Sequence, residues 1–255
     1  MAASHTLERH EYKFLAPMSV VAKVRTSLAG VCRRDPYAGP AGSYPIRSLY
    51  LDNWNLDLYN ANNQERATRF KARVRGYPAR RGAVFLEIKR RFGDVIVKSR
   101  GYMAEEGWAE RLRPAAPGVH EPSPLTDFYR EVVVHDLQPK LLVEYEREAW
   151  MSELEPYARV TFDQDIRAQE QRSWSLEADP GAWRTIDHPV QTTTQGPVCV
   201  IELKFENDPP RWMQAIVRRC DLIRYSFSKY CYGMTAHLPG ERPRVGDRVS
   251  PWGAA

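Results

Sequence analysis

Alternation of charged and apolar side chains along short segments is the feature that most constrains the fold of this 255-residue chain. If residues 68–77 (TRFKARVRGY) form a β-strand, one face of it carries Arg69, Lys71, Arg73 and Arg75. Neighbouring cations on that face would lie about 6.7 Å apart and repel each other by roughly 2 to 3 kcal/mol per pair at an effective dielectric constant of about 20. Such a face requires anions close by.

Seven further segments have the length and composition of strands. They are HEYKFL, YPIRSLYLD, AVFLEIKRR, DVIVKSRGY, KLLVEYEREAW, ARVTFDQDI and VCVIELKFE. Helical periodicity is confined to PMSVVAKVRTSLAGVCR, SPLTDFYREVVVHD and PPRWMQAIVRRCDL. Eight strands with a few inserted helices predict an α+β fold built on one antiparallel sheet that closes into a barrel. We expect residues 1–238 to form a single domain, followed by a tail at 239–255.

Glutamate occurs two residues before lysine on three of these strands, as Glu11-x-Lys13, Glu87-x-Lys89 and Glu202-x-Lys204. A charged face on one strand is normally a solvated surface. Because several strands share the pattern, we favour the alternative, in which charged faces line the barrel and apolar faces pack outward against helices. Unpaired buried charges are too costly, so this interior would hold water, a metal and an anion.

Phosphate is the anion that suits several arginine forks and lysine point charges, and cations spread over several strands suit a chain of phosphates. Glu11, Glu87 and Glu202 are candidate ligands for Mg²⁺ or Mn²⁺, which bind through one or two carboxylates and the phosphates themselves. A purely structural ion-pair role remains open for each of them. The sequence contains no P-loop and no GxGxxG motif, so side chains would have to recognise the phosphates.

Charge and composition bound the setting of the protein. The net charge of +5 favours anionic partners. No apolar stretch is long enough to span a bilayer, and the first residues lack the apolar core of a signal peptide, so we expect a cytoplasmic protein. The four cysteines show no zinc-type spacing and are expected to be free, buried thiols. His10, His135 and His188 fit no catalytic pattern.

A set of short motifs resembles the vacuolar transporter chaperone (VTC) domain, in the order found in that family. The motifs span about residues 8 to 235 and are Arg9-x-Glu11-x-Lys13, SLYLDN (48–53), Lys71-x-Arg73-x-Arg75, FLEIK (85–89), VKSR (97–100), YER (145–147), RVTFD (159–163), VIELK (200–204), PPRW (209–212) and SFSKY (226–230). The family belongs to the triphosphate tunnel metalloenzymes. The resemblance implies an eight-stranded antiparallel β-barrel with helices outside, enclosing a tunnel for polyanions.

The same resemblance implies a metal-dependent polyphosphate polymerase, which transfers the terminal phosphate of ATP to inorganic polyphosphate with Mn²⁺ or Mg²⁺. Carried over by motif position, the phosphate-binding residues are Lys13, Arg73, Arg75, Lys89, Lys98, Arg147, Arg159 and Lys229, of which Lys13, Arg73, Arg75, Lys89 and Lys229 are expected to act in catalysis. Glu202 would hold the metal, with Glu11 and Glu87 as further candidates, and Ser228 would lie beside the phosphate path. Alternation alone adds Arg9, Lys71, Arg100 and Lys204 as substrate-binding candidates.

One departure from the superfamily pattern is informative. The wider superfamily begins with Glu-x-Glu-x-Lys, whereas Arg9 occupies the first glutamate position here, which favours the VTC branch over triphosphatases and cyclases. The membrane domains of the eukaryotic subunits are missing, so export of polyphosphate would need a separate membrane partner. A tripolyphosphate or nucleoside-triphosphate hydrolase and a non-catalytic polyphosphate sensor or scaffold remain alternatives. Nucleic acid is disfavoured, because carboxylates interleave the cations and few aromatic residues accompany them.

Overall fold

One antiparallel sheet contains every strand that the structure describes. The computed structural model describes residues 9–239, apart from positions 94, 113–123, 156, 189–191, 193 and 195. In chain order the strands are β1 (Arg9–Pro17), β2 (Cys32–Arg34), β3 (Tyr44–Asp52), β4 (Thr68–Gly76), β5 (Ala83–Phe92), β6 (Val95–Ala104), β7 (Gln138–Ser152), β8 (Arg159–Glu170), β9 (Arg184–Thr185) and β10 (Val198–Glu206). Eight of them follow the spatial order β1-β10-β8-β7-β3-β4-β5-β6, while β2 pairs with β7 and β9 with β8.

The helices lie between strands or after the last strand. Within the described residues they are α1 (Met18–Leu28), α2 (Asp57–Asn63), α3 (Trp108–Arg111), α4 (Pro124–Val134), α5 (Arg211–Arg219) and α6 (Lys229–His237). Pro17 and Pro210 immediately precede α1 and α5, at positions where a helix needs no backbone N–H. The α+β fold class is confirmed.

All eight predicted strand segments are strands, and the three predicted helices correspond to α1, α4 and α5. The sequence did not indicate the short strands β2 and β9 or the helices α2, α3 and α6. The predicted tail lies outside the described residues except for position 239. The cysteines are buried and free, as predicted.

Two apolar clusters cover the outer side of the sheet. In one, Val24 of α1 and Ile216 of α5 belong to a buried cluster with Phe14, Phe162 and Ile201 of strands β1, β8 and β10. In the other, the described helical residues Trp108 and Phe128 belong to a cluster with Val74, Leu86 and Ile88 of β4 and β5. Because these apolar residues alternate with the charged ones, the charged faces point to the inner side of the sheet.

The sheet curls until its two ends approach each other. Lys89 Nζ on β5 lies 3.1 Å from Glu11 Oε1 on β1, although the two strands stand near opposite ends of the strand order. No pairing joins β1 to β6 in the part of the chain that the structure describes. The outer edge of β1 instead receives a hydrogen bond from the N–H of Tyr225 to the carbonyl of Lys13, 2.9 Å long. The prediction of a closed barrel is therefore wrong in one respect: the sheet is a curled barrel with a seam between β1 and β6.

Helix α6 packs inside the curl, against β7 and β8. A Cβ atom added to Gly233 would lie 2.5 Å from Cδ2 of Leu141 and 3.0 Å from Cβ of Ala168, so the glycine permits this close approach. Ser228 begins the helix by accepting a hydrogen bond of 3.2 Å from the N–H of Cys231. The helix thus carries Lys229, at its first position, into the interior of the sheet.

A buried aspartate ties α6 to α2. Asp52, at the end of β3, is fully buried and accepts a hydrogen bond of 2.5 Å from the hydroxyl of Tyr230. Its carboxylate also accepts hydrogen bonds from the N–H groups of Leu58 and Tyr59 in the first turn of α2. These bonds satisfy donors at the start of a helix that no side-chain cap covers.

Among the described residues, no helix has the combination of length and apolar composition that crossing a membrane requires.

Candidate functional site

Glu87 on β5 is the centre of a group of four cations on one inner wall. The carboxylate is 2% exposed. Its oxygens lie 2.6 Å from Arg73 Nη2 and 2.6 Å from Lys98 Nζ, with Arg100 Nε at 3.3 Å and Arg75 Nε at 3.8 Å. These four cations come from β4 and β6, the two strands that flank β5. We call this group the Glu87 hub.

Glu202 on β10 is the centre of a second group of four cations, on another part of the inner wall. Its Oε2 atom lies 2.9 Å from Lys204 Nζ and 3.3 Å from Arg147 Nη2, and its Oε1 atom lies 3.6 Å from Lys13 Nζ and 3.7 Å from Lys229 Nζ. The carboxylate is almost fully buried. We call this group the Glu202 hub.

Asp163 on β8 locks two cations of the Glu202 hub in place. Both guanidinium contacts from Arg147 to the Asp163 carboxylate are 2.6 Å long, in the paired geometry that arginine and carboxylate favour. Lys229 Nζ donates a third hydrogen bond of 2.5 Å to the same carboxylate. Asp163 is fully buried, so it fixes the positions of Arg147 and Lys229 before any ligand binds.

Two further contacts connect the hubs around the interior. On one side, Arg75 Nη2 donates a hydrogen bond of 3.3 Å to the hydroxyl of Tyr145, and the guanidinium of Arg147 lies 5.3 Å from the ring of the same tyrosine. On the other side, the Glu11–Lys89 ion pair spans from β1 to β5, and Lys89 is paired in register with Lys98 of the Glu87 hub. Charged groups therefore encircle the interior.

Lys71 and Tyr50 lie between the hubs. Lys71 Nζ donates a hydrogen bond of 2.9 Å to Ser228 Oγ, at the start of α6. The hydroxyl of Tyr50 accepts a hydrogen bond of 2.9 Å from Arg73 Nη1, and its ring stacks on Tyr230 with centroids 5.1 Å apart. Burial raises the pKa of Tyr50, but the surrounding cations, with Arg73 foremost, outweigh burial and lower the pKa below its usual value.

The two hub carboxylates remain ionised well into the acid range. Burial opposes their ionisation, but it is outweighed at Glu87 by Arg73 first and then Arg75, and at Glu202 by Lys204 first and then Lys229. The pKa of each carboxyl group therefore lies below its ordinary value. Their negative charge is a fixed feature of the interior at neutral pH.

Two lysines of the interior show the opposite effect of burial. Desolvation lowers the pKa of Lys71 to about 8, and neighbouring Lys13 and Lys89 add to the decrease. Desolvation also lowers the pKa of Lys98 to about 8, despite the favourable field of Glu87. A charge is therefore costly at both positions until a further anion arrives.

Positive charge exceeds negative charge inside the sheet. The inward cations are Lys13, Lys71, Arg73, Arg75, Lys89, Lys98, Arg100, Arg147, Lys204 and Lys229. Among the described residues, four carboxylates form ion pairs with cations of this set: Glu11, Glu87, Asp163 and Glu202. In this part of the described structure the cations outnumber the carboxylates by six, and such an excess favours an anionic ligand.

Most of the predicted site residues therefore lie together. Ser228 and all ten inward cations were among them, as were Glu11, Glu87 and Glu202. Arg159 is exposed at the start of β8, where it is paired in register with Lys204, so it lies at the opening rather than inside. Arg9 begins β1 opposite Glu206, and its side chain lies outside the described ones.

Sequence reasoning gave no role to three residues of the site. Asp163 shares the charged face of its strand with Thr161, and that alternation was the signal for it. Tyr50 and Tyr145 also face the interior, but tyrosine occurs so often in apolar cores that its alternation carries little information.

The donor set fits a metal ion that arrives together with phosphate. In the described residues, no group of three or more His, Cys, Asp or Glu side chains is arranged to hold a metal ion. Glu11 and Glu202 nevertheless lie on either side of Lys13, whose Nζ is 3.5 Å and 3.6 Å from their oxygens. Mg²⁺ and Mn²⁺ commonly take one or two carboxylates, with phosphate oxygens and water completing the shell. Glu87 fits less well, since each of its two oxygens has a cation at 2.6 Å, whereas the cations nearest Glu202 Oε1 lie at 3.6 and 3.7 Å.

Three solved structures resemble the chain at low sequence identity. A candidate adenylate cyclase of Bacillus halodurans has a TM-score of 0.52 at 12% identity, covering 87% of this chain and 94% of that chain. PH1819 from Pyrococcus horikoshii has a TM-score of 0.44 at 11% identity, covering 90% and 99% of the two chains. A candidate adenylate cyclase of Vibrio parahaemolyticus has a TM-score of 0.44 at 9% identity, covering 88% and 97%. Only the first likeness is close enough to support the fold.

Sequence comparison identifies the family directly. No curated protein sequence matches the chain. The family model of the VTC domain, in contrast, matches residues 8–238, which is nearly the whole chain. The matched region contains both hubs, α6 and every described strand. The chain therefore belongs to the VTC domain family.

Proposed function

We propose that this protein is a polyphosphate polymerase, which transfers the terminal phosphate of ATP to the end of an inorganic polyphosphate chain. The observation that carries the proposal is the charge balance inside the curled sheet. Among the described residues, the ten inward cations have only four carboxylates as ion-pair partners. A single phosphate would not need two hubs of four cations each. A triphosphate together with an acceptor chain would use both.

The chain's own residues would bind and align the two phosphate groups. Arg73, Arg75 and Lys98 would hold phosphate oxygens on the wall of Glu87, while Lys13 and Lys229 would hold them on the wall of Glu202. Such positioning supplies most of what phosphoryl transfer requires of a protein. A bond forms from an acceptor oxygen to the γ-phosphorus, and the bond to the β–γ bridging oxygen breaks, releasing ADP. The acceptor is already an anion, so the reaction needs no strong general base.

Glu202, with Glu11 beside it, would hold a divalent metal ion. When bound, Mn²⁺ or Mg²⁺ would offset negative charge on the transferring group. Glu202 is the stronger candidate because its side chain is the more deeply buried of the two carboxylates.

The decisive experiment is incubation of the purified protein with ATP and Mn²⁺, followed by gel analysis of the phosphate products. Long phosphate polymer together with ADP supports the proposal. Orthophosphate without polymer would instead indicate the hydrolase, which uses the same site with water as acceptor. Cyclic AMP with pyrophosphate would indicate cyclase chemistry, the activity named for the Bacillus halodurans protein. Binding of polyphosphate with no turnover would indicate a sensor or scaffold.

We place this reaction in the cytoplasm, with a separate membrane protein exporting the product. Nucleic acid is a poor candidate ligand, because the cations face the interior of the sheet and share it with carboxylates.

A further inference from the structure

A group of aromatic side chains lies at one end of the inner face, beside the Glu87 hub. Phe85 on β5 and Tyr102 on β6 are paired in register, with ring centroids 6.4 Å apart. Tyr77 meets Phe85 edge-on, with centroids 5.6 Å apart and planes at 89°. Tyr102 is 72% exposed, although it is a large ring on a strand. We call Phe85, Arg100 and Tyr102 the aromatic platform.

Arg100 joins the aromatic residues to the charged interior. Its guanidinium carbon lies 4.0 Å from the centroid of the Phe85 ring, while its Nε atom lies 3.3 Å from Glu87 Oε1. The guanidinium is therefore stacked on Phe85 and also belongs to the Glu87 hub. Arginine stacked on an aromatic ring presents a flat, charged surface that can itself stack on a third planar group.

The platform faces the interior, because alternation places Tyr102 on the same side of β6 as Arg100 and Lys98. The residue between them, Gly101, faces outward: a Cβ atom added there would lie 2.7 Å from Cδ2 of Leu125 in α4. Among the described residues, no strand pairs with the edge of β6 that faces away from β5. With 72% of its surface exposed, Tyr102 is accessible to a ligand that enters from this end.

We propose that the aromatic platform is a nucleobase subsite, which stacks the base of the nucleoside triphosphate donor. This inference rests on the proposed function and extends it by naming how a nucleotide is distinguished from an inorganic phosphate chain. Inorganic polyphosphate has no planar group and gains nothing from aromatic rings. A base gains stacking free energy from a Tyr, Phe or Arg surface, and every base has a π-face that can use it.

The spacing of the sheet suits a nucleotide in this orientation. Cross-strand pairs on one face follow each other at about 6.7 Å along the strands. From the Phe85–Tyr102 pair, the next inward pair is Glu87–Arg100 and the following one is Lys89–Lys98. A base on the platform would therefore direct its phosphates toward Arg100 and then toward Lys98 and Arg73. These three cations belong to the Glu87 hub.

The test compares ATP with tripolyphosphate as ligands of the full chain, with dissociation constants measured by isothermal titration calorimetry in Mg²⁺ buffer without acceptor. The test variant is Tyr102→Ala, whose exposed ring contributes little to folding. The matched control is Trp54→Ala, because Trp54 is 78% exposed and lies after β3, at the other end of the sheet. Phe85→Leu, which keeps apolar volume but removes the ring under Arg100, is a second test variant.

We expect Tyr102→Ala to weaken ATP binding by roughly 5- to 100-fold, the range for loss of one stacking partner, with tripolyphosphate binding changed by less than about 2-fold. Phe85→Leu should act in the same direction, and Trp54→Ala should change neither affinity. An equal loss of affinity for both ligands, or no change in either affinity, would overturn the nucleobase subsite and leave the proposed function standing. If the wild-type protein bound neither ATP nor tripolyphosphate, the proposed function would fail with it.

Discussion

Arg73 and Glu87, which are paired in register on β4 and β5, form an ion pair with 2.6 Å between Nη2 and Oε2. The repulsion expected between Arg73 and its neighbours on the same face is therefore offset within the protein. Glu87 lies within 4 Å of Arg75 as well. Removing Arg73 would therefore do more than relieve repulsion, because Glu87 would lose a close partner.

We predict that Arg73→Ala lowers the free energy of unfolding by about 1 to 3 kcal/mol, because it removes one of the close partners of a buried carboxylate. The affinity for tripolyphosphate should fall by at least about 10-fold in the same variant, because the bidentate contact of the arginine with phosphate is lost. Urea denaturation and calorimetric titration measure the two effects. Arg172→Ala is the control, because this arginine is 90% exposed and should change neither value. Loss of stability with unaltered affinity would contradict the assignment of Arg73 to the phosphate site.

Glu87→Gln should leave four cations of one hub without their shared counter-charge. We predict a loss of about 3 kcal/mol in the absence of ligand, comparable to breaking a buried ion pair. Tripolyphosphate should restore more thermal stability to this variant than to the wild-type protein, because the phosphates supply the missing negative charge. Differential scanning fluorimetry with and without the ligand gives the comparison. Glu177→Gln, at a carboxylate that is 77% exposed, should show only the wild-type increase.

Glu202→Gln should separate catalysis from binding. We predict that turnover of ATP falls by roughly 100-fold or more, while tripolyphosphate still binds to the remaining cations. The binding of Mn²⁺ in the presence of tripolyphosphate, followed by electron paramagnetic resonance, should weaken in parallel. Glu170→Gln, at an exposed position on β8, is the control. Unchanged Mn²⁺ binding would remove Glu202 from the metal site.

The affinity for tripolyphosphate should fall as the pH rises through about 8. Lysine binds phosphate in its protonated form. Lys71 and Lys98 lose their protons, and with them their positive charge, above their lowered pKa of about 8. Between pH 7 and pH 9.5 we expect a decrease on the order of 10-fold in the wild-type protein. The double variant Lys71→Arg with Lys98→Arg should lose most of this dependence, because arginine stays charged over the whole range. A pH profile that is identical in both proteins would show that these lysines do not contact the ligand.

The strands and their charged faces could be predicted from the sequence because alternation is a local signal, as in TRFKARVRGY and AVFLEIKRR. The helix α6 could not, because its residues are buried almost all round and the sequence KYCYGMTAH has no polar face to give a helical period. The role of Asp163 was hidden for a different reason. Its partner Lys229 is distant in sequence, and only the position of α6 inside the curl brings the two together.

The alternation of charged and apolar side chains also could not predict whether the sheet closes. Each strand's alternation says which face is buried, but it carries no information on whether the first and last strands pair. The aromatic platform shows the same limit, because Phe85 and Tyr102 are ordinary strand residues until their register places them beside Arg100.

The two hubs also determine how the protein should respond to ionic strength. Each group of four cations already has a covalently attached carboxylate at its centre, so fewer mobile salt ions gather around it than around unpaired cations. An incoming phosphate chain would displace mainly these built-in carboxylates, and few dissolved counterions would be released. Association with polyanions should therefore depend less steeply on salt concentration than the number of lysines and arginines in contact would suggest.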